Sequence, residues 1–206
     1  MFRLLIQKLK KNPRKIVFTE GNDERVLEAA ARLLSGTFLT PILIGDPEEI
    51  HRVADEACLN IGNAQILQPS AYGKMEAMVE KMVELRRGKM TAEQCRAALQ
   101  QGNYFGTMLV AMGEADCLLG GATYSTADTV RPALQLIKTR PGNKIVSSCF
   151  ILVRPSATGG NQVLAMGDCA INIDPSEDDL VEITQEVVNP GLRLRPGGGQ
   201  NAQRLR

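Results

Sequence analysis

Three short apolar runs, each followed by a polar turn or a stretch with helical spacing, hold this chain to a parallel sheet covered by helices. Arg14–Thr19 reads as a first strand, and Glu20-Gly-Asn-Asp23 turns it into a helix with Leu27, Ala30, Ala31 and Leu34 on one face. Thr40–Gly45 reads as a second strand. The helix after it, from about Pro47 to Cys58, opens with a proline and two glutamates, which suit the positive end of a helix dipole. Ala64–Gln68 is a third, weaker strand, and β-α-β-α-β is the rhythm that results.

A fourth strand, Cys117–Leu119, runs into Gly120-Gly-Ala-Thr-Tyr-Ser-Thr-Ala-Asp-Thr-Val-Arg-Pro132. Paired glycines let a ligand come close to the backbone, and the helix N-terminus that follows offers free N–H groups and partial positive charge. Thr123, Ser125, Thr126 and Thr129 are hydroxyl donors, and Arg131 can grip an oxyanion with two parallel bonds. The same segment also reads as a plain strand-to-helix turn with Ser125 or Thr126 as N-cap.

Between the third and fourth strands the chain is helical. Tyr72–Gly88 carries Met75, Met78, Val79, Met82 and Leu85 at three- and four-residue spacing, a stripe that reads as core filling. Thr91-Ala-Glu-Gln94 has the form of a capping box for a helix to Gln101, and Asn103 is placed to cap a helix from Tyr104 to Met112. Arg86 and Arg87 close the methionine helix, where cations suit the C-terminal carbonyls, so they are helix-end charges or ligands. Asn103-Tyr-Phe-Gly-Thr107 is either a polar site edge or a staple at a helix start.

Beyond the Gly120–Pro132 segment, helix continues to Lys138 and Pro141-Gly142 breaks it. Lys144–Val153 reads as a long strand, and Gln162–Ala170 as its hairpin partner or neighbour. Asp174-Pro-Ser176 opens an acidic-ended helix, with Asp168 and Asp174 as a strand end and a helix cap or as groups facing a cleft.

Net charge is +1 over 206 residues, so bulk electrostatics call for neither nucleic acid nor a membrane surface. Four arginines fall in 189–206, which contains no acid, four glycines and two prolines; the rest of the chain is therefore mildly acidic. Five scattered cysteines without a C-x-x-C pair, three of them in apolar runs, fit a reducing cytoplasm better than a disulfide framework. Neither a secretory signal nor a membrane span is evident. His51 is the only histidine and lies in an acid-rich amphipathic stretch, so a Ser-His-Asp triad is disfavoured; metal-ligand spacing and nucleotide-loop motifs are absent.

Lys15-Ile-Val-Phe-Thr-Glu-Gly21, Glu84-Leu-Arg86, Asn103-Tyr-Phe-Gly-Thr-Met108, Ser125-Thr-Ala-Asp-Thr-Val-Arg-Pro132 with Leu136-Ile-Lys-Thr139, and Asp168-Cys-Ala-Ile-Asn172 occur in this order. As a set, they resemble the phosphate acetyltransferases within the wider phosphate acetyl/butyryltransferase family, over about the first 188 residues. The resemblance implies a three-layer α/β/α subunit of two domains, of the isocitrate/isopropylmalate dehydrogenase-like type, commonly a cytoplasmic homodimer. It implies the reversible conversion of acetyl-CoA and phosphate to acetyl phosphate and CoA in an interdomain cleft, with coenzyme A as substrate and no permanently bound cofactor or metal. Carried over by motif, Arg131 and Arg86 hold phosphoryl oxygens, and Ser125, Thr126, Thr129, Asn103 and Tyr104 contact substrate.

Members of that family continue well past 206 residues, into a segment with an Asp-Leu-Ser-Arg-Gly type motif and an aspartate held to take the thiol proton. The expectation is therefore a truncated or frameshifted chain: a first α/β domain over 1–142, the start of a second over 143–188, and a disordered basic tail over 189–206. Such a chain is expected to be inactive by itself and to leave apolar faces uncovered. The alternatives are a noncatalytic anion-binding or dimerising fragment and a phosphate butyryltransferase.

Overall fold

The computed structural model describes residues 2–157 and 160–194. Its elements in chain order are α1 (Phe2–Lys11), β1 (Lys15–Phe18), α2 (Glu24–Gly36), β2 (Thr40–Ile44), α3 (Pro47–Glu56), β3 (Gln65–Leu67), α4 (Met75–Arg86), α5 (Ala92–Ala98), α6 (Gly102–Ala111), β4 (Cys117–Leu119), α7 (Thr126–Leu136), β5 (Cys149–Pro155), β6 (Asn161–Gly167) and α8 (Glu177–Leu194). The chain divides into two compact units, residues 6–138 and the residues from 139 onward together with the first five.

In the first unit the four strands are parallel, in the order β3-β2-β1-β4. Alternation along each strand decides which layer a side chain enters. Val17, Ile42 and Ile44 face Met78, Val79 and Met82 of α4, Leu99, Phe105 and Met108, with Leu136 of α7 in the same cluster. Phe18 and Leu43 face the opposite way, onto Leu27 and Ala30 of α2 and Ile50 and Ala54 of α3. Two apolar layers on one sheet make the α/β/α sandwich that the strand rhythm predicts. The buried Met78 and Met82 are core, as their spacing suggests.

Local chemistry fixes the helix ends. Asp23 and Asp46 accept the N–H groups of Arg25 and of Glu48 and Glu49, capping α2 and α3. Thr91 and Gln94 form the capping box of α5. The methionine helix is shorter than its pattern: α4 begins at Met75, because Pro69–Ala71 forms a separate 3₁₀ turn, and it ends at Arg86, where Arg87 takes a left-handed φ of 50°.

Helix α6 lies close against β1 through two glycines. A Cβ added at Gly102 meets the Thr19 carbonyl oxygen at 2.4 Å, and one at Gly106 meets Val17, Thr19 and Leu118 side chains at 3.0 Å. This approach brings the start of α6 to the C-terminal edge of the sheet.

In the second unit β5 and β6 form an antiparallel hairpin against which α8 packs. The ladder begins at Cys149, later than the run from Lys144 predicts. The backbone before it is satisfied by side chains instead: Lys144 N and Ile145 N donate to Glu182 of α8 at 3.2 and 3.3 Å, and Val146 O accepts from Asn172 at 2.9 Å. Helix α8 starts after Ser176, whose hydroxyl caps Asp179 N, and runs to Leu194, six residues into the segment expected as a tail. Residues 195–206 of that expected tail lie outside the described residues.

Cross-strand neighbours Phe150 and Met166, and Leu152 and Leu164, put their side chains on an outer hairpin face that is largely exposed. That is the uncovered apolar surface expected of this region. The cysteines depart from expectation: only Cys95 is buried, while Cys117 and Cys149 are exposed despite their apolar runs, Cys149 because it opens the hairpin. All five are free thiols.

The close α6 approach can be tested by Gly102→Ala. Helix propensity alone favours alanine by about 1 kcal/mol. Contact with the Thr19 carbonyl should reverse that sign and destabilise the protein by about 1–3 kcal/mol in urea unfolding; a stabilised variant would show that the helix is free to lift away.

Candidate functional site

In an open parallel sheet the place where successive connections leave in opposite directions forms a crevice at the C-terminal edge. Here the chain runs outward from β1 to β2 and β3, then returns to β4 on the other side of β1. The crevice lies between the ends of β1 and β4, where Thr19-Glu20 and Gly120–Ser125 meet.

The loop after β4 encloses an anion, and that anion belongs to the protein. Glu20 Oε2 accepts the N–H of Gly121 at 2.8 Å and of Ala122 at 3.1 Å; Oε1 accepts the N–H of Thr123, the N–H of Tyr124 at 2.9 Å and the Thr123 hydroxyl at 2.9 Å. Thr19 adds its hydroxyl to Oε2 at 3.3 Å. Gly121, at φ 100°, supplies the backbone turn that points successive N–H groups inward, and a Cβ at Gly120 would come within 2.5 Å of Thr19 Oγ1. Burial of Glu20 raises its pKa, but the N–H groups of Thr123, Tyr124 and Ala122 and the Thr123 hydroxyl outweigh it, bringing the carboxyl from 4.5 down to about 2. Arg25 ties the same loop from outside, donating to Ala122 O at 2.8 Å.

The paired glycines therefore receive an anion as their pattern suggests, but an internal one, and Thr123 serves Glu20. Ser125 is the N-cap of α7: its hydroxyl accepts the Asp128 N–H and donates to Asp128 Oδ2 at 2.6 Å. The Thr129 hydroxyl turns back onto Ser125 O at 3.0 Å, while Thr126, in the first turn of α7, is exposed. Arg131 points its guanidinium into solvent from the next turn, 3.6 Å from Asp128 and more than half exposed, so it remains available to a ligand.

Asn103 joins the two helix starts. Its buried side chain donates to Asp128 O at 2.8 Å and accepts the Tyr104 N–H at 2.8 Å, which places the first turn of α6 beside that of α7. Thr107 donates to Asn103 O at 2.7 Å and Tyr104 OH to Gln135 at 3.0 Å. Asn103 and Tyr104 are thus structural links around the crevice, with Tyr104 partly exposed.

Arg86 stands apart, at the C-terminal end of α4. Its Nε is buried without a hydrogen-bond partner, and the neighbouring Leu85 carbonyl accepts from Lys138, just beyond α7, at 3.2 Å. Burial pushes the Cys95 thiol up, and the charge of Arg86 pulls it the other way.

In the second unit Asp168 organises the turn after β6. It accepts the Ser148 hydroxyl, the N–H groups of Ala170, Ile171 and Asn172 at 3.1, 3.2 and 3.0 Å, and the Asn172 amide. Burial opposes ionisation there and these donors overcome it, holding Asp168 well below the usual carboxylate range. Among the described residues no group of His, Cys, Asp and Glu side chains is placed to hold a metal ion, and no helix is long and apolar enough to cross a membrane. His51 is exposed on α3.

Glu20 is the residue that reading for ligand donors overlooks. Its signal was an acid directly after a buried parallel strand, followed by glycine; the spacing of about a hundred residues to its partners leaves no local trace.

A family model described as phosphate acetyl/butaryl transferase matches residues 1–194. The phosphate acetyltransferase of Bacillus subtilis (strain 168) is 48% identical over 189 residues, covering 92% of this chain and 57% of that protein. That of Staphylococcus aureus (strain Mu50) is 41% identical over 192 residues, covering 93% and 57%. A phosphotransacetylase structure from Streptococcus pyogenes superposes with a TM-score of 0.80 at 43% identity, over 89% of this chain and 56% of the other. The EutD phosphotransacetylase from Staphylococcus aureus also gives 0.80, at 42% identity, over 88% and 53%. The chain thus spans a little over half the length of the relatives it matches.

The bound carboxylate predicts a pH dependence. A folded pKa near 2 against 4.5 is a depressed acid, so its stabilisation is complete above about pH 4.5 and fades as pH falls toward 2. The shift corresponds to about 3 kcal/mol at neutral pH. Glu20→Gln should therefore be less stable than the unaltered chain by about that amount in urea at about pH 7, with the gap shrinking to roughly half by about pH 3 and closing below about pH 2. A gap that does not change with pH would mean the carboxylate charge is not what holds the loop.

Proposed function

The chain belongs to the phosphate acetyl/butaryl transferase family, and on that premise we propose that it serves the reversible transfer of an acetyl group between coenzyme A and inorganic phosphate. Phosphate oxygen attacks the thioester carbon of acetyl-CoA and the CoA thiolate leaves; in reverse the thiolate attacks acetyl phosphate and phosphate leaves. Substrates are acetyl-CoA, phosphate, acetyl phosphate and CoA, in a cytoplasmic homodimer.

The observation that carries the reading is Arg131, an exposed guanidinium on α7 that lies 3.6 Å from Asp128, the residue whose carbonyl Asn103 ties to the start of α6. Its planar fork suits phosphoryl oxygens, and the positive ends of two helices add to the same field. In the transition state the bridging oxygen of acetyl phosphate gains charge, and a fixed guanidinium stabilises it without reorganising. Asp128 lies 3.6 Å from Arg131 across the helix turn and accepts the Ser125 hydroxyl at 2.6 Å, so it orients the guanidinium. Thr126 is the hydroxyl left to donate to ligand. Arg86, with its unpaired buried Nε, is the second arginine assigned to substrate oxygens. Ser125, Thr129, Asn103 and Tyr104 shape the binding surface rather than donate from it.

The CoA thiol, whose ordinary pKa of about 8.5 leaves little thiolate at neutral pH, needs a base, and among the described residues the carboxylate beside Arg131, Asp128, is engaged by the Ser125 hydroxyl and by the guanidinium itself. The 206-residue chain alone is therefore expected to bind the anionic substrate and to release little or no CoA in a coupled assay. Calorimetry with acetyl phosphate should give saturable binding that Arg131→Ala weakens at least about tenfold. Equal affinity of the two proteins would remove Arg131 from the site, and robust turnover would refute the assigned lack of a base.

A further inference from the structure

Glu20 has more donors than a strand-end acid needs for its own solvation. Its carboxylate collects the four backbone N–H groups from Gly121 to Tyr124 and two hydroxyls, Thr19 and Thr123, and the residue is 6% exposed. Immediately after these four residues comes Ser125, the cap that starts α7, and Arg131 lies one and a half turns further along that helix. Between the β1 end and Arg131 there is thus a continuous run of fixed geometry: carboxylate, loop, cap, helix.

We propose that Glu20 is a positioning residue for Arg131, acting through the Gly121–Tyr124 loop to set the start of α7 and with it the direction from which the guanidinium meets the phosphoryl group. The inference rests on the reading of Arg131 as the phosphoryl ligand.

Three features of the structure support it. A loop carrying two adjacent glycines has few constraints of its own, since Gly120 and Gly121 restrict the backbone least. The carboxylate replaces those missing constraints with directional bonds to consecutive N–H groups. Two further ties come from α6 and α2: Asn103 holds Asp128 O, and Arg25 holds Ala122 O. Neither of these reaches the inward N–H groups, so among the described residues it is Glu20 that fixes the loop's pitch. Occupation of the nest by an internal anion also keeps substrate phosphate from settling there, leaving the exposed Arg131 guanidinium to attract it.

The test is a double-mutant cycle read as acetyl phosphate affinity, by calorimetry on the 206-residue chain at a temperature where circular dichroism shows every variant folded. Glu20→Gln should weaken binding about tenfold, as expected when a clamp is displaced by a fraction of an ångström. Glu20→Gln combined with Arg131→Ala should bind no more weakly than Arg131→Ala alone, because the same interaction is already lost. A purely structural role would leave the affinity of folded Glu20→Gln unchanged, and an independent contact to ligand would make the two losses multiply; either result overturns the proposal. Should Glu20→Gln not fold, Glu20→Asp keeps the charge, withdraws it by one methylene, and enters the same cycle with the same criterion. If the unaltered chain itself shows no binding, the functional reading falls and this inference with it, whereas equal binding by the unaltered and Glu20→Gln chains overturns this inference alone.

Discussion

The carboxylate of Glu20 is the interaction on which the crevice depends. A loop of two glycines and small residues between a parallel strand and a helix has little reason to hold one shape, and its inward N–H groups would be costly to leave unmet. One ionised side chain at the end of the neighbouring strand satisfies them together. Because β1 and β4 are adjacent and parallel, the carboxylate arrives at the right height only once the sheet has formed. The loop, the cap of α7 and the stance of Arg131 are therefore consequences of strand pairing.

The second constraint is steric. Gly102 and Gly106 bring α6 down onto β1, and that depth lets Asn103 reach across to Asp128 of α7. Two helix starts are thereby aimed at one edge of the sheet, where their partial charges add. The apolar layers hold that edge: Phe105 is fully buried and stacks edge-on against Tyr72 at 5.0 Å, anchoring α6 two residues beyond Asn103. Packing thus positions the polar groups, and the polar groups then orient the arginine.

Much of this architecture was legible because it is periodic. The apolar runs at Ile16-Val17-Phe18 and Ile42-Leu43-Ile44, the methionine stripe of α4 and the capping box at Thr91 are local signals, and each appears where the sequence places it. The hairpin starts later than the sequence predicts because Lys144 and Ile145 look like strand in composition, while their N–H groups are taken by Glu182, a residue 37 or 38 positions away. The site was legible in part. Gly120-Gly121 does announce an anion, and Ser125 does cap, but residue types cannot say whether the anion is a ligand or a side chain. Thr123 and Thr129 carry the same hydroxyl in sequence, yet one serves Glu20 and the other its own helix.

By itself the sequence determined the layered α/β class, the capping box of α5, the candidate arginines and the family, because these rest on short-range periodicity and on contiguous motifs, whereas Asn103, read as a cap, lies inside α6 behind Gln101. Only the tertiary structure decided which donors remain available. Glu20 lies about a hundred residues from the loop it fills, and hydrogen bonds between distant segments are set by strand order and helix depth, neither of which a local pattern encodes.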